Sequence, residues 1–585
     1  MWLIISVILV VLIIRQLISR IIPKFLLVSH KNLTDQINNN DISNIKHRKS
    51  STRRQLILTS ENPSYYTNYL SNKITINPND KQTPRFDESF PNKTIHGFFH
   101  PYANNGGGGE RVLWQAVKAT LLARSENIVV IYTTNIESSP EEILRKAGDK
   151  FQISDMDSTR IVFLYLKRFA NLIDGNYWKR FTLVGQLLGS VLLAGEALFA
   201  LSPDVWIDTM GLPGSYLIMA LLFKGPILAY NHYPIIQNDM FNKLKFKKFD
   251  DLNKLRLSVR DFFELGKFIY WSILYYFYVY LGSMVDIGLA NGTWTFNHLQ
   301  DIWYLNSALG HKLEILYPPC GTEFLTTNTD PTVPRENKLL YLAQFRPEKR
   351  HSLILKEYQE FLSSNFPNVS KPTEQIPTIV FAGSCRTKDD TATLNNLKDE
   401  VSKLKLDNFV EFAIDISYDE VVSWLSRCKF GLNAMWNEHF GIGVVEYMAR
   451  GAIPIVHASA GPLMDIVTGS QTIDWHNDSG FFFKSMDDPD LDPSIQDKEE
   501  TEGYINFEIV KGDQIVKFPT FKTLLTELYV NNTESISEDR LNKMRLNGQE
   551  VVKQKFSNKV FTEKWIEYMN EIQELYTIYR EERNM

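Results

Sequence analysis

Short apolar runs alternate with stretches of helical spacing from about residue 91 to residue 325. In chain order, the runs that predict buried strands are TIHGFF, NIVVIYTT, TRIVFLYL, PDVWIDTM and GPILAYNHYP. A glycine-rich turn follows the first run, and a helix is predicted to start near Glu110. Strands that alternate with helices are typical of a parallel sheet with helices on its faces. The pattern therefore predicts an α/β domain over residues 91–325.

A second alternation predicts another α/β domain over residues 326–550. Its strand-like runs are KLLYLAQF, TIVFAGSC, FVEFAID, FGLNAMW and IPIVHA. Near its end, residues 486–502 are acidic and contain proline, which predicts a solvated loop. The tail, residues 551–585, has apolar residues at helical spacing and predicts one helix. These residues are Phe561, Trp565, Tyr568, Ile572 and Tyr576.

The first 28 residues form the most continuous apolar stretch, and their basic residues follow the apolar run of residues 2–14. A cleaved signal peptide has its basic residues before the run and small residues after it. We therefore predict an uncleaved membrane anchor, with a removed targeting peptide as the alternative. Nine Lys or Arg residues lie between Arg15 and Arg54 and none precedes the run, which favours a cytosolic location for the rest of the chain. Residues 29–90 are polar and predict a loosely ordered tether.

Two other apolar segments, residues 181–201 and 268–285, are long enough to suggest further membrane spans. Gln186 and Glu196 interrupt the first segment, and both segments lie inside the strand–helix alternation. We predict that they pack against the sheet or contact a membrane shallowly, rather than cross it.

Length, charge and cysteine content narrow the class of protein. A chain of 585 residues exceeds the usual size of one hydrophobic core and predicts two large domains. It has 63 Lys and Arg against 68 Asp and Glu, a balance that favours no nucleic-acid partner. Its three cysteines, Cys320, Cys385 and Cys428, have neither zinc-site spacing nor the pattern of a disulfide framework, which favours a reducing compartment.

The glycine run before Glu110 is the first candidate site. Gly106, Gly107, Gly108 and Gly109 follow a predicted strand and open a helix. Such a loop allows close backbone approach, and the helix N-terminus offers N–H groups to an anion. A dinucleotide-binding dehydrogenase needs G-x-G-x-x-G and an acid after the next strand, and this chain has neither. A tight turn and a ligand cradle both remain open for this loop.

A second candidate site lies in NEHFGIGVVEYMARG, which contains Glu438 and Glu446 on either side of a glycine-bearing turn. Glu446 is predicted to lie near the start of a helix, where backbone amides could bind a diphosphate and the carboxylate both hydroxyls of a ribose. Glu438, before the turn, could accept hydrogen bonds from a sugar. The alternative is a pair of solvated acids, but acids within so apolar a stretch are costly unless they are paired.

These residues carry a resemblance to known enzymes. The E-x7-E pattern of EHFGIGVVE, followed by SAGPLMDIV, is similar to the donor-binding signature of the family 4 retaining glycosyltransferases, which have the GT-B fold. Within them the chain resembles the GDP-mannose-dependent α-1,2-mannosyltransferases of the dolichol-linked oligosaccharide pathway. The motifs that support this are HPYANNGGGGERVLW, NHYP, NGTWTFNHL, LYPPC, LAQFRPEKRH and MWNEHFGIGVVEYMARG. The resemblance covers residues 95–470, and it implies two Rossmann-like domains facing a cleft, with the tail helix packed back on the first domain.

The resemblance also implies roles for individual residues. The implied catalytic group is His232, Arg346, Lys349 and Glu438, and the implied donor-binding group is Glu446, Phe440, Gly441, Gly107, Gly108 and Gly109. Glu446 would bind the nucleotide ribose, Glu438 the mannose hydroxyls and Lys349 the diphosphate. The backbone amides around Phe440 and Gly441 would face the phosphate and sugar of the donor, and the glycine run would approach the donor phosphates or the acceptor. His232 would contact the transferred sugar, with a buried structural histidine as the alternative. The wider family usually has an arginine at the position of Gln344, so the role of Arg346 is the least secure of these.

The implied reaction moves mannose from GDP-mannose to a dolichol-diphosphate-linked Man3GlcNAc2 acceptor, as its fourth and fifth mannoses, on the cytosolic face of the endoplasmic reticulum. Other mannosyltransferases of the pathway are candidate partners. No Asp-x-Asp motif is placed to hold a metal at the diphosphate, so we expect no metal cofactor. Two alternatives remain: a related transferase with another nucleotide sugar or lipid-linked acceptor, and an inactive membrane scaffold of the same fold.

Overall fold

A computed structural model describes most of the chain outside its N-terminal part. The described residues are 50–69, 92–223, 225–237, 240, 259–326, 334–467, 478–491, 503–510, 514–531 and 533–584. The predicted anchor, residues 1–28, and much of the predicted tether lie outside them. The chain divides into two compact units. The first comprises residues up to Asn291, Thr295–Leu316 and the tail from Phe561, and the second comprises Gly292–Trp294 and Tyr317–Val560.

The first unit is built on a parallel sheet of seven strands in the order β3-β2-β1-β4-β5-β6-β7. The strands are β1 Thr94–Phe99, β2 Asn127–Thr133, β3 Ile161–Tyr165, β4 Val205–Asp208, β5 Ile227–Asn231, β6 Ile287–Ala290 and β7 Lys312–Ile315. The helices are α1 Ser50–Thr59, α2 Gly108–Ala123, α3 Pro140–Phe151, α4 Thr182–Ala200, α5 Gly214–Leu222, α6 Val259–Gly282, α7 Thr293–Ile302 and α8 Tyr304–Ala308. The five predicted strands are all present, while β6 and β7 were not predicted.

The second unit repeats the arrangement with six parallel strands in the order β10-β9-β8-β11-β12-β13. The strands are β8 Glu336–Leu342, β9 Thr378–Gly383, β10 Val410–Ile414, β11 Cys428–Asn433, β12 Ile453–His457 and β13 Phe481–Phe483, with an antiparallel hairpin of β14 Tyr504–Val510 and β15 Gln514–Pro519. The helices are α9 Thr322–Thr326, α10 His351–Asn365, α11 Lys388–Lys403, α12 Tyr418–Arg427, α13 Ile442–Arg450, α14 Phe521–Thr526, α15 Glu538–Lys555 and α16 Asn558–Asn584. Both sheets therefore have the strand order of a Rossmann-type fold.

Helix α1 lies within the segment predicted to be a polar tether, and for this part the prediction is wrong. Leu56 and Ile57 are fully buried in the core of the first unit. Arg54 forms an ion pair of 2.5 Å with the buried carboxylate of Asp204. Three apolar residues in a row, followed by Thr59, outweigh the polar composition around them, because burying their side chains compensates for ordering the segment.

The tail helix α16 joins the core of the first unit. The five apolar residues that share its predicted face are all buried there: Phe561, Trp565, Tyr568, Ile572 and Tyr576. The Trp565 ring stacks on Phe98 with a centroid distance of 6.2 Å, and its indole N–H donates to Thr120 Oγ1. The buried face follows the helical spacing that was read from the sequence.

The boundary between the units lies at Leu316/Tyr317 rather than at residues 325/326, and the chain returns to the first unit at Phe561 rather than at residue 551. Tyr317 packs in the second unit, with its ring 5.9 Å from that of Phe440 and 5.1 Å from that of Phe556. The backbone N–H of Cys320 donates to the carbonyl of Phe556. These contacts keep residues 317–325 and 551–560 in the second unit.

Helix α4 is one helix of the described chain that is long and apolar enough to cross a bilayer, by length and composition alone. Seven of its 19 residues are buried in the first unit. A Cβ placed on Gly189 would approach the carbonyl oxygen of Leu172 to 2.4 Å, and one on Gly214 of α5 would approach Ser190 Oγ to 2.1 Å. The close packing at these glycines makes α4 an integral helix of the domain.

Candidate functional site

Each predicted site residue lies beyond the carboxyl end of a parallel strand. In the first unit the glycine loop follows β1 and His232 follows β5; in the second, Arg346 and Lys349 follow β8, and the Glu438–Gly441 loop follows β11. Strands β1 and β4 are neighbours, as are β8 and β11, so each sheet changes winding direction at that pair. Ligands of open α/β sheets bind at such points.

Lys349 and Glu438 meet in the second unit although 89 positions separate them in the sequence. The Lys349 ammonium donates to Glu438 Oε2 at 2.6 Å and also lies 3.0 Å from Met435 Sδ. The two side chains are 21% and 19% exposed, so the pair is accessible from solvent without being fully hydrated. The hydroxyl of Tyr341 donates to the carbonyl of Lys349 and fixes the backbone at the end of the turn Pro347–Lys349. The pair therefore combines a cation for an anionic ligand with an acceptor for hydroxyl groups.

The loop that carries Glu438 is held by the glycine of SAGPL. Gly461 donates its N–H to the carbonyl of Glu438 at 3.0 Å. A Cβ on Gly461 would approach the carbonyl oxygen of Phe440 to 2.4 Å and that of His439 to 2.7 Å. Only a residue without a side chain allows the two loops to lie this close. This contact explains why the Gly-Pro segment accompanies the two-glutamate motif in the sequence.

Gly441 starts helix α13 from a left-handed conformation, with φ of +103°. Glycine adopts this conformation at little cost, and it turns the chain so that the first helical N–H groups face outward at the N-terminus. Glu446 is the fifth residue of α13, so it lies near the start of a helix as predicted, and its side chain is half-buried. The next residue, Tyr447, anchors α13: its hydroxyl donates to Leu432 O and accepts from Leu342 N, which belong to β11 and β8.

Asp465 organises a second part of this site that sequence reasoning missed. Its carboxylate accepts from the hydroxyl and the N–H of Thr293 and from the hydroxyl of Tyr317, the last at 3.0 Å. Burial raises the pKa of this carboxyl group. The Tyr317 ring packs against Phe440, which is 4% exposed. The Phe440 side chain is therefore a packing residue, while the predicted donor contact through the backbone amides around Phe440 stays a prediction. The sequence signal for Asp465 was its position within SAGPLMDIV.

Arg346 does not join the Lys349–Glu438 pair. Its Nε donates to Asp390 Oδ1 at 3.3 Å, and its side chain is 40% exposed. Asp390 also accepts from the N–H groups of Arg386 and Thr387 and so caps helix α11. The structure thus ties Arg346 to a carboxylate with a structural role of its own.

The first unit places His232 beside Gly109. A Cβ on Gly109 would lie 3.5 Å from His232 Nε2. The same nitrogen lies 3.1 Å from the carbonyl of Thr209, whose hydroxyl is 2.8 Å from Nδ1 of the buried His100. Burial lowers the pKa of His232, and it lowers that of His100 to about 3. His232 is therefore neutral near pH 7, with Nε2–H donating to Thr209 and Nδ1 left as the acceptor nitrogen.

The glycine loop is capped by its own chain. Gly106 has φ of +74°, and Gly107 donates its N–H to Glu110 Oε2 at 2.7 Å. Gly108 and Gly109 are the first residues of α2. The Glu110 carboxylate therefore lies at the N-terminus of α2, and its negative charge disfavours the binding of an anionic ligand there. Among the described residues, no group of three or more His, Cys, Asp or Glu side chains is placed to hold a metal ion.

Comparison with known proteins identifies the family of this chain. Residues 93–303 match the family model described as ALG11 mannosyltransferase N-terminus, and residues 328–502 match Glycosyl transferases group 1. A relative from Candida albicans, named GDP-Man:Man(3)GlcNAc(2)-PP-Dol alpha-1,2-mannosyltransferase, is 60% identical, and the match covers 100% of this chain and 99% of the relative. This chain belongs to that mannosyltransferase family.

The family extends well beyond yeasts. A relative of the same name from Homo sapiens is 37% identical, over 64% of this chain and 75% of the relative. The resemblance drawn from the motifs is therefore confirmed, and with it the membership of the chain among the glycosyltransferases.

Solved structures of low sequence identity share the fold. A glycosyltransferase from Rickettsia africae superposes with a TM-score of 0.50 at 13% identity, covering 82% of this chain and 99% of that one. An alpha,alpha-trehalose 6-phosphate synthase from Burkholderia multivorans superposes with a TM-score of 0.51 at 10% identity, with the same coverage. The predicted GT-B class, with two Rossmann-like α/β domains, is confirmed.

Proposed function

We propose that this mannosyltransferase transfers mannose from GDP-mannose to a dolichol-diphosphate-linked Man3GlcNAc2 acceptor, in α-1,2 linkage. The observation that carries the proposal is the 60% identity, over the whole chain, to a relative whose name states this donor, acceptor and linkage. The retained Lys349–Glu438 pair and Glu446 on α13 support an active enzyme rather than an inactive scaffold. We assign the fourth and fifth mannoses of the glycan to this activity.

The second unit supplies the donor site in this proposal. Lys349 and the N-terminus of α13 neutralise the diphosphate of GDP-mannose, and Glu446 accepts hydrogen bonds from the ribose hydroxyls. Glu438 accepts from hydroxyls of the mannose. Lys349 and Glu438 are paired at 2.6 Å. A bound diphosphate would attract Lys349 away from Glu438, and the Glu438 carboxylate could then accept hydrogen bonds from the sugar. Arg346 has a secondary role, because Asp390 already binds it.

The first unit supplies contacts to the transferred sugar and to the acceptor. The neutral His232 presents Nδ1 as an acceptor for a sugar hydroxyl, while its Nε2–H is held by Thr209. Glu110 caps the glycine loop, so Gly107, Gly108 and Gly109 suit the hydroxyl groups of an acceptor better than the phosphates of the donor.

The proposed chemistry retains the anomeric configuration. The acceptor hydroxyl attacks from the face that GDP leaves, and a phosphate oxygen of the departing GDP takes the hydroxyl proton. The residues of this chain position the two substrates and stabilise the charge that develops on the diphosphate. The proposal assigns that charge stabilisation to Lys349 and backbone N–H groups and includes no metal cofactor.

Exposed apolar side chains on two helices of the first unit support a lipid-linked acceptor. Side chains at helical spacing on α4 and α6 are exposed: Leu188, Leu192 and Phe199 on α4, and Ile269, Ile273, Tyr276 and Tyr280 on α6. Phe181, the residue before α4, packs edge-on against Tyr270 of α6 with a ring-centroid distance of 5.4 Å. Exposed apolar side chains on adjacent helices are typical of helices that lie in a membrane interface.

We place the enzyme at the cytosolic face of the endoplasmic reticulum membrane, with residues 1–28 as its anchor. The α4–α6 surface would rest on the same bilayer and hold the active site near the dolichol-linked acceptor. Other mannosyltransferases of the pathway, which act before or after this step on the same lipid, are the partners that fit this arrangement.

Purified full-length protein tests the proposal directly. It should add one or two hexoses to a lipid-diphosphate-linked Man3GlcNAc2 with GDP-mannose and none with UDP-glucose, as read by product mass and by release with an α-1,2-mannosidase. Lys349→Ala provides the control variant, in which transfer should be strongly reduced but measurable. Transfer from UDP-glucose alone would favour a different nucleotide sugar, and absence of transfer from either donor, in protein that is folded by circular dichroism, would favour the scaffold.

A further inference from the structure

Asp488 lies in the segment predicted to be a solvated acidic loop, yet its side chain is fully buried in the second unit. Its Oδ1 accepts from Arg350 Nη1 at 2.7 Å. Its Oδ2 lies 2.8 Å from His457 Nε2 and accepts from the N–H of Ser485 at 3.1 Å. The Lys484 ammonium lies 3.5 Å away. The two carboxylate oxygens of Asp488 therefore start two series of contacts in the second unit, one through Arg350 and one through His457.

The first series leads to Lys349. Arg350 follows Lys349 directly, has φ of +55° and is the N-cap of α10. A left-handed conformation is unfavourable for a residue with a side chain and persists where surrounding contacts impose it. The ion pair with Asp488 holds the guanidinium of Arg350 and thereby the backbone conformation from which the Lys349 side chain departs.

The second series leads to Glu438. His457 Nδ1 lies 2.9 Å from Ser459 Oγ, and the same oxygen accepts from the N–H of Asn437 at 2.9 Å. Asn437 precedes Glu438 directly and also has a positive φ, of +53°. One proton arrangement satisfies every hydrogen bond in this series: His457 Nε2–H donates to Asp488, and the Ser459 hydroxyl donates to His457 Nδ1. It requires a neutral histidine, and burial lowers the pKa of His457.

The charges around Asp488 are balanced. Lys484 is fully buried, pairs with Asp490 at 3.2 Å and lies over the Phe507 ring at 3.9 Å. With a neutral His457, two cations, Arg350 and Lys484, face two carboxylates, Asp488 and Asp490. Burial alone would raise the pKa of Asp488, but the hydrogen bond from His457 and the nearby Lys484 charge hold it well below its usual range. The carboxylate therefore stays ionised and keeps both connections.

We propose that Asp488 is a positioning residue that sets the geometry of the Lys349–Glu438 pair from both sides, through Arg350 and through His457, Ser459 and Asn437. One buried carboxylate thus fixes the residue after Lys349 and the residue before Glu438. The inference rests on the proposed function for its catalytic consequence, while the positioning itself is independent of any substrate.

The geometry is tested first without substrate, in the full-length protein. In wild type, the bond to Glu438 should protect the Lys349 amine. We therefore expect slow acylation of Lys349 by an N-hydroxysuccinimide ester, as followed by peptide mass spectrometry. Asp488→Asn should increase the Lys349 acylation rate by about fivefold or more, while Asp490→Asn, which removes a carboxylate of the same segment that contacts neither Arg350 nor His457, should change it less than about twofold. An unchanged rate in folded Asp488→Asn overturns the proposal.

Activity provides the second measurement. Asp488→Asn should lower kcat/KM for GDP-mannose by about tenfold, and the same substitution in a Lys349→Ala background should add less than about twofold, because both changes act on one pair. Additive losses would show a general structural role and overturn the proposal. If wild type shows no mannosyl transfer while the acylation result holds, the proposed function fails and the positioning role stands.

Two milder variants separate the two connections and replace Asp488→Asn if that variant does not fold. Ser459→Ala breaks the path to Asn437 and should lower kcat while the GDP dissociation constant stays within about twofold of wild type. Arg350→Lys weakens the path to Lys349 and should raise the GDP dissociation constant by about fivefold or more. Equal effects of both variants on GDP affinity would contradict the two-sided arrangement.

Discussion

The ammonium of Lys349 binds Glu438 Oε2 at 2.6 Å, which joins the loop after β8 to the loop after β11. In the proposed donor site these residues serve different parts of GDP-mannose, Lys349 the diphosphate and Glu438 the sugar. The ion pair therefore has to open when the donor binds. It keeps each charge compensated in the absence of ligand, which limits the cost of holding both groups partly buried.

The two glutamates of the E-x7-E motif should respond differently to neutralisation. Glu446→Gln removes the charge that strengthens its bonds to the ribose. Since hydrogen bonds to charged groups contribute roughly 1.5–3 kcal/mol each, GDP affinity and turnover should fall by about tenfold to a hundredfold or more. Calorimetric titration with GDP measures the affinity. Wild-type GDP affinity in this variant would refute the ribose role.

Glu438→Gln should leave GDP affinity intact or improve it, because Lys349 no longer has to leave a carboxylate partner. Mannosyl transfer should fall by about tenfold or more, since a neutral amide accepts the sugar hydroxyls more weakly. The same titration and a transfer assay give both quantities. A strong loss of GDP affinity in Glu438→Gln would mean that the two glutamates have exchanged roles.

Lys349→Ala should weaken the binding of GDP by about tenfold or more, and that of guanosine hardly at all, because the lysine is assigned to the diphosphate. Competition binding with the two ligands measures the difference. Lys403→Ala, at the C-terminal end of α11, is the control for the general loss of a surface cation. An equal loss for guanosine and GDP would place Lys349 away from the phosphates.

Gly461→Ala should separate the loop of Glu438 from the Gly-Pro segment, since the new Cβ would lie 2.4 Å from the carbonyl oxygen of Phe440. We expect a loss of stability of about 1–3 kcal/mol and a loss of transfer. Gly195→Ala is the matched control. Apart from neighbouring residues and the backbone of its own helix, no atom lies within 4 Å of its Cβ position, and alanine favours a helix over glycine by about 1 kcal/mol. The Tm of each variant, measured by thermal unfolding, is compared with that of wild type. A Tm of Gly461→Ala equal to that of Gly195→Ala would contradict the close contact at Gly461.

Glu357 predicts a pH dependence of stability. Burial raises its pKa from 4.5 to about 7, although the N–H of Lys522 donates to its carboxylate. The folded chain therefore retains this proton between pH 4.5 and about 7 while the unfolded chain loses it, so this group lowers stability as the pH rises through that window. Glu357→Gln should raise the Tm relative to wild type at pH 8 by more than at pH 4.5. A constant Tm difference across this range would contradict the shift.

The α4–α6 surface should contact lipid in native membranes. A hydrophobic photoreactive lipid probe should label peptides that contain Leu192 of α4 and Ile273 of α6. Ile578 on the tail helix is exposed to a similar extent, at 53% against 44% for Leu192, and provides the control for labelling of any exposed apolar residue. Equal labelling of all three positions would remove the case for a membrane-facing surface.

Much of this molecule was predictable from local patterns. The strands that carry the site are short, continuous apolar runs, which is how strands of a covered parallel sheet appear in a sequence. Strand β6 was missed because it comes directly after the long apolar segment of residues 268–285. Strand β7 contains two charged residues and has no fully buried position, and β13 has only three residues. Helix α1 was missed because composition was averaged over residues 29–90, while Leu56 and Ile57 are buried individually.

The fold class, the family and the chemical character of Glu438, Glu446 and Lys349 could all be predicted from residue patterns along one chain. Tertiary structure decided which of these groups meet. Lys349 and Glu438 form a pair because β8 and β11 are adjacent in the sheet, whereas Arg346, only three residues before Lys349, turns to Asp390. Tertiary structure also buries the Asp488 side chain against Arg350, although the surrounding sequence is acidic and predicts a solvated loop. Burial and pairing of charges depend on strand order and on contacts between distant segments, which hydrophobic periodicity does not encode.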